Sequence, residues 1–78
     1  MPHVTPDVVI DTKGMICPMP VLKAKKAIDA LQRGQLLGLL SDDAAARSDI
    51  PALVARLGLE LLDTIESSGV IAFYIRKK

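Results

Sequence analysis

The segment Cys17-Pro18-Met19-Pro20 is where this chain can do chemistry. Cys17 is the only cysteine, and it stands where a loop hands over to a helical pattern. A helix start carries roughly +0.5 of an elementary charge, which favours an anion beside it. A thiol placed there ionises more readily than a free cysteine, whose pKa is about 8.5. The thiolate is a nucleophile, and the same field favours a terminal persulfide anion. Pro18 and Pro20 are tolerated in a first helical turn, where N–H groups have no intrahelical partner. They preset the backbone and remove two donors, so the N–H groups of Met19 and Val21 are the nearest candidates to face the sulfur. Lys13, Lys23 and Lys26 are expected to add positive potential, subject to salt screening, and to dock acidic partners. Met15 and Met19 are candidates for an apolar rim around the thiol, or for packing.

The missing groups narrow the chemistry further. Acyl transfer by a cysteine needs a histidine base, and the only histidine is His3, in a proline-bearing lead-in. A dithiol redox cycle needs a second cysteine, and the chain has one. No metal-ligand cluster and no glycine-rich phosphate loop is visible, so neither a metal nor a cofactor is expected. Asp42-Asp43 offers two carboxylates, too few for a cation site, and reads as turn or capping residues. Asp11 reads as a residue that orients the loop before Cys17. A thiol without its own base can accept and donate a group, which is the profile of a carrier more than of an independent enzyme. A lone cysteine can also be a small buried hydrophobe. Its place between a loop and two prolines, off both apolar stripes, argues for the reactive reading.

The elements that must hold this segment follow from the apolar pattern. With 78 residues the chain forms one domain over 1–78, with 1–6 as a loose lead-in. A domain this small buries roughly 60% of its unfolded surface, so it needs a continuous core, and half of its residues are hydrophobic. Residues 7–11 read as a strand and 12–16 as a loop with Gly14 as its flexible point. Residues 18–33 read as a helix with Val21, Ala24, Ile28 and Leu31 as one stripe and Gly34 as its stop. Residues 35–41 hold four leucines without alternation, a strand covered as in a parallel pair. Ile50, Leu53, Val54 and Leu57 mark a second helix, with Ser48 or Asp49 as N-cap near Pro51, or an opening turn from Ala44, and Gly58 as its end. Residues 59–66 and 70–77 read as strands joined by Ser67-Ser68-Gly69. In the last strand Ile71, Phe73 and Ile75 share one face and Ala72, Tyr74 and Arg76 the other. The order β-α-β-α-β-β predicts an α+β two-layer sandwich, and right-handed crossovers put both helices on one side only if each adds its strand in the same direction.

Composition excludes other classes. Phe73 and Tyr74 are the only aromatics and the net charge is +1, which disfavours a base-stacking nucleic-acid surface. One cysteine rules out an internal disulfide, no signal-peptide pattern is visible near Met1, and no apolar stretch is long enough to span a bilayer. A cytoplasmic setting is expected.

Asp11, Gly14, Cys17-Pro18-Met19-Pro20, Lys25-Lys26, Asp42-Asp43, Asp49-Ile50-Pro51, Gly58 and Ile75-Arg76-Lys77 together resemble the TusA (SirA-like) sulfur-carrier family, over about residues 7–77. The resemblance implies both helices on one face of a four-stranded mixed sheet. It implies that Cys17 receives sulfane sulfur from a donor protein, a cysteine desulfurase or a rhodanese, and passes it to an acceptor in tRNA thiolation, molybdenum-cofactor or sulfur-oxidation pathways. Met19 stands where tRNA-thiolation members carry an acid between the prolines, which weakens that specific assignment. Ala44 stands where a proline often follows the acidic pair, a change that concerns the second helix's start. The competing reading is a regulatory interaction module in which Cys17 is dispensable and the sheet face with Ala72, Tyr74 and Arg76 meets the partner. A third reading, direct RNA binding, has the composition against it.

Overall fold

The computed structural model describes residues 5–16 and 18–78. The chain runs β1 (Val8–Asp11), α1 (Met19–Ala30), β2 (Leu36–Ser41), α2 (Ala46–Arg56), β3 (Glu60–Ser67) and β4 (Val70–Arg76). The sheet order is β1-β2-β4-β3, with β1 parallel to β2 and β4 antiparallel to both β2 and β3. Each helical crossover moves the chain in the same direction across the sheet, and β4 returns to fill the gap between β2 and β3. Same-handed steps in one direction put both helices on one face. The expected two-layer α+β sandwich is the observed one.

The core lies between that sheet face and the helices. Leu37 and Leu39 of β2 sit opposite Ile75 and Phe73 of β4, and all four are fully buried. Ala24 and Ile28 of α1, and Ile50, Leu53 and Val54 of α2, close over them. The alternation in β4 follows the expected faces, with Ile71, Phe73 and Ile75 buried and Arg76 exposed. On the opposite face Gly38 leaves room for Pro6, whose ring carbons lie 3.2 Å from where a Cβ on Gly38 would stand. Pro6 is thereby laid against the sheet. Ser68 and Gly69 both have positive φ, the two-residue hairpin geometry whose twist matches the strands it joins. Among the described residues no helix is long and apolar enough to cross a membrane.

Both helices differ from expectation at an end. α1 stops at Ala30, not Arg33, because Leu31 takes an extended backbone that turns its side chain into the core. Gly34 is used three residues later, in a turn closed by the Gln35 N–H donating to the Gln32 carbonyl at 3.1 Å. The end of the sheet then ties this segment down. The Gly34 N–H donates to the Lys77 carbonyl at 2.7 Å, and Lys77 Nζ donates to the Ile28 carbonyl at 2.8 Å. A cation on the last carbonyls suits a helix C-terminus.

In α2 neither Ser48 nor Asp49 is the N-cap. The helix opens at Ala46, near the alternative Ala44 start, and Pro51 lies inside it. Asp43 supplies the opening: its carboxylate accepts the Ala45 N–H at 3.1 Å and its carbonyl the Ala46 N–H at 3.0 Å. Ala46 is buried in the core, and its packing holds the added turn in place. Arg47 of this turn makes a two-pronged ion pair with Glu66 of β3, with Nε 3.0 Å from Oε1.

Two stability predictions follow from this packing. Phe73→Ala should cost about 3–5 kcal/mol in urea unfolding, most of what a domain this size has, whereas Ile75→Val should cost about 1 kcal/mol. The Arg47 hydrogen bond holds the Glu66 carboxyl below its ordinary pKa of 4.5. A lowered carboxylate pKa contributes stability above the ordinary value and loses it as pH falls through the folded value. Glu66→Gln should therefore be slightly less stable than the parent near neutrality. That difference should vanish in unfolding curves taken well below pH 4.5.

Candidate functional site

Cys17 and His3 lie outside the described residues. The structure defines the frame on either side of Cys17, and that frame is assembled at the carboxyl ends of the two parallel strands. Thr12, fully buried, donates both its hydroxyl and its N–H to the Leu40 carbonyl, the N–H at 2.8 Å. Lys13 and Gly14 then turn the chain, closed by the Met15 N–H on the Thr12 carbonyl at 3.0 Å. Gly14 has φ +85°, the left-handed value that this turn position demands of a glycine.

Acids hold this turn in place, as expected for Asp11 and for the turn duty of Asp42-Asp43. The Asp11 carboxylate accepts the Lys13 N–H at 2.9 Å. The Asp42 carboxylate accepts the Gly14 N–H with both oxygens, at 3.0 and 3.1 Å. Asp42 comes from just beyond β2, twenty-eight residues along the chain, so this bond locks the loop to the sheet. Its neighbour Asp43 starts α2, and the buried Ser41 hydroxyl accepts the Asp43 N–H at 3.2 Å. Four consecutive residues, Leu40 to Asp43, thus position both the loop before the site and the helix beside it.

The helix start itself is built by the prolines. Pro18 is the N-cap residue, Pro20 falls within the first turn and is buried, and no side chain caps the end. The Met19 N–H donates to the Ile16 carbonyl at 2.9 Å, and the Leu22 N–H to the Pro18 carbonyl at 3.0 Å. Of the two N–H groups expected to face the sulfur, that of Met19 is therefore committed to Ile16. Val21 holds the third helical position, whose N–H lies too early for a bond within the helix.

Ile16 is 75% exposed, and Met19 and Leu22 are exposed as well. Met19 is bonded to Ile16 through the backbone, and Leu22 lies one helical turn beyond Met19, so three exposed apolar residues follow one another at the helix start. Met19 was expected as part of an apolar rim, whereas Ile16 and Leu22 were not. The signal for Leu22 was a large apolar residue lying off the buried stripe of its helix. Met15 is half-buried at the base of the turn.

The three lysines separate. Lys13 lies 3.7 Å from the Asp11 carboxylate, which offsets its charge. Lys23 and Lys26 line an apolar groove between β1 and α1. A smaller hollow of about 240 Å³ opens on the other side of the helix start, between Pro18, Val21, Leu53 and Arg56. Among the described residues no three His, Cys, Asp or Glu side chains group as a metal site.

The family model described as Sulfurtransferase TusA matches residues 8–77. Sulfur carrier protein TusA of Pseudomonas putida strain GB-1 is 40% identical over 78 residues, all of this chain and 98% of that protein. A relative from Archaeoglobus fulgidus is 41% identical over 68 residues, 86% of this chain and 88% of that protein. The crystal structure of a SirA-like protein from Desulfitobacterium hafniense superposes with a TM-score of 0.78 at 28% identity, covering 88% of this chain and 95% of that one. A match over nearly the whole length, in sequence and in fold, means that this chain belongs to the TusA family.

Proposed function

We propose that the chain is a sulfur carrier that holds sulfane sulfur as a persulfide on Cys17 and relays it from a donor protein to an acceptor protein. The observation that carries this reading is the frame around position 17. Its two chain neighbours, Ile16 and Pro18, are exposed, while the loop before it is clamped to β2 by Thr12 and Asp42. A relay requires a reachable reactive atom, and the exposed neighbours and clamped loop beside position 17 support that reading. The relatives named sulfur carrier proteins support the same role.

The transfer balances without a cofactor. The Cys17 thiolate attacks the terminal sulfur of a donor persulfide, the donor's S–S bond breaks, and the donor cysteine leaves as a thiolate. One neutral sulfur atom has moved and no electrons have left the pair of proteins. An acceptor thiolate repeats the exchange on the Cys17 persulfide. The positive end of α1 favours the anionic forms of Cys17 in both steps. The Met19 N–H is committed to the Ile16 carbonyl and is not the donor for that anion. Exposed Ile16, Met19 and Leu22 offer an apolar contact for the partner, and Lys23 and Lys26 favour partners with acidic surfaces, the charge of Lys13 being offset by Asp11.

Incubation with a persulfide donor followed by intact-mass measurement should add one sulfur atom to the parent chain and none to Cys17→Ser. An equal adduct on both sinks the reading, and full complementation of a deletion by Cys17→Ser points to a regulatory interaction module instead. Asp42→Ala removes the grip on Gly14 from an exposed position, so it should cost only about 1 kcal/mol of stability. It should slow sulfur loading by about tenfold, because a nucleophile on a loosened loop loses its attack geometry. Loading rates together with amide shifts of residues 13–16 test this. Unchanged loading with shifted amides removes Asp42 as a positioning residue.

A further inference from the structure

The two edges of the sheet are finished differently. β3 carries Glu60, Asp63, Thr64 and Glu66 and a register shift between Leu61 and Asp63, devices that discourage a further strand. β1, at the other edge, pairs regularly with β2 and has no lysine, proline or bulge. Among the described residues its outer backbone has no neighbour in the sheet, and Val9 is 56% exposed.

Beside this open edge lies a groove of about 350 Å³ between β1 and α1. Val8, Ile10, Ala27 and Leu31 give it an apolar floor, and Lys23 and Lys26 stand along it. The ion pairs among the described residues engage Lys13, Lys25 and Arg47, and neither Lys23 nor Lys26 takes part in one. An apolar trough, a vacant strand edge and two uncompensated cations therefore coincide.

We infer that the β1 edge and its groove receive an extended segment of a partner protein, apolar at alternate positions and acidic where it passes Lys23 and Lys26, added as a fifth strand. Strand addition supplies affinity through main-chain hydrogen bonds and specificity through alternate side chains. Charge decides the occupant. An acidic segment neutralises the two lysines, whereas a second copy paired edge to edge would bring two sets of them into one merged trough. The placement suits a relay. Lys23 and Lys26 lie about 6 and 10 Å along the helix axis from Met19, so the bound segment runs beside α1 and leaves its start open. The inference rests on the carrier reading, in which a partner must dock while one sulfur atom moves.

The test is a titration of the ¹⁵N-labelled full chain with a capped nonapeptide in which valine and isoleucine alternate with glutamate. Amide shifts should change along Val8–Asp11 and from Lys23 to Leu31, and hydrogen exchange in β1 should slow. Ala30→Glu, at an exposed groove position, should raise the Kd by about tenfold, and Lys26→Glu should do the same by charge reversal. A peptide with lysine in place of glutamate should not bind. Absence of shifts, shifts confined to β3 or the open sheet face, equal binding of the lysine peptide, or a dimer through β1 in sedimentation overturns the inference. Sulfur loading measured on the same sample separates the two ideas. An adduct without peptide binding removes the groove alone, and peptide binding without an adduct removes the carrier reading.

Discussion

The end of β2 is the point on which the site depends. The Leu40 carbonyl takes two hydrogen bonds from Thr12, the Asp42 carboxylate holds the Gly14 N–H, and Asp43 opens α2. Polar groups at this position must be satisfied, because Thr12 and Ser41 are completely buried. Satisfying them from neighbouring elements joins the loop, the central strand and the opening of α2 into one unit. The β-α-β connection brings the carboxyl ends of two parallel strands together, and the loop that opens with Thr12 is hung from that junction.

The same economy runs through the fold. One apolar layer, centred on Leu37, Leu39, Phe73 and Ile75, carries both helices, and the opposite sheet face is covered only in part. α1 is anchored at both ends by other means than its own caps. Prolines shape its start, and Lys77, nearly fifty residues on, holds its last turn. The helix that presents the site is thus placed by the sheet's far end as well as by its near one.

Much of this was legible in the residues themselves. The stripe through Ala24, Ile28 and Leu31 and the alternation through Ile71, Phe73 and Ile75 are direct records of which face is buried, so periodicity found them. Asp42-Asp43 reads as a turn or capping pair and Asp11 as a residue that orients the loop, roles that local side-chain chemistry predicts. Helix ends were harder, since they are decided by contacts distant in sequence. Leu31 leaves the helix to reach the core, and Pro51 sits inside α2 because Asp43 and buried Ala46 add a turn ahead of it. The Asp42–Gly14 bond, the exposure of Ile16 and Leu22, and the groove beside β1 join separate parts of the chain or depend on what covers them. No spacing rule carries that information.

The turn at Gly14 has a practical corollary. Its φ of +85° is a left-handed value that side chains of ordinary handedness rarely adopt. Asp42 needs only the N–H of this residue. A mirror-image amino acid would therefore suit the position better than any natural substitution, and would restrict the unfolded chain as well. In a chemically synthesised chain, position 14 can carry a D-residue bearing a dye or a photo-crosslinker three places from the cysteine.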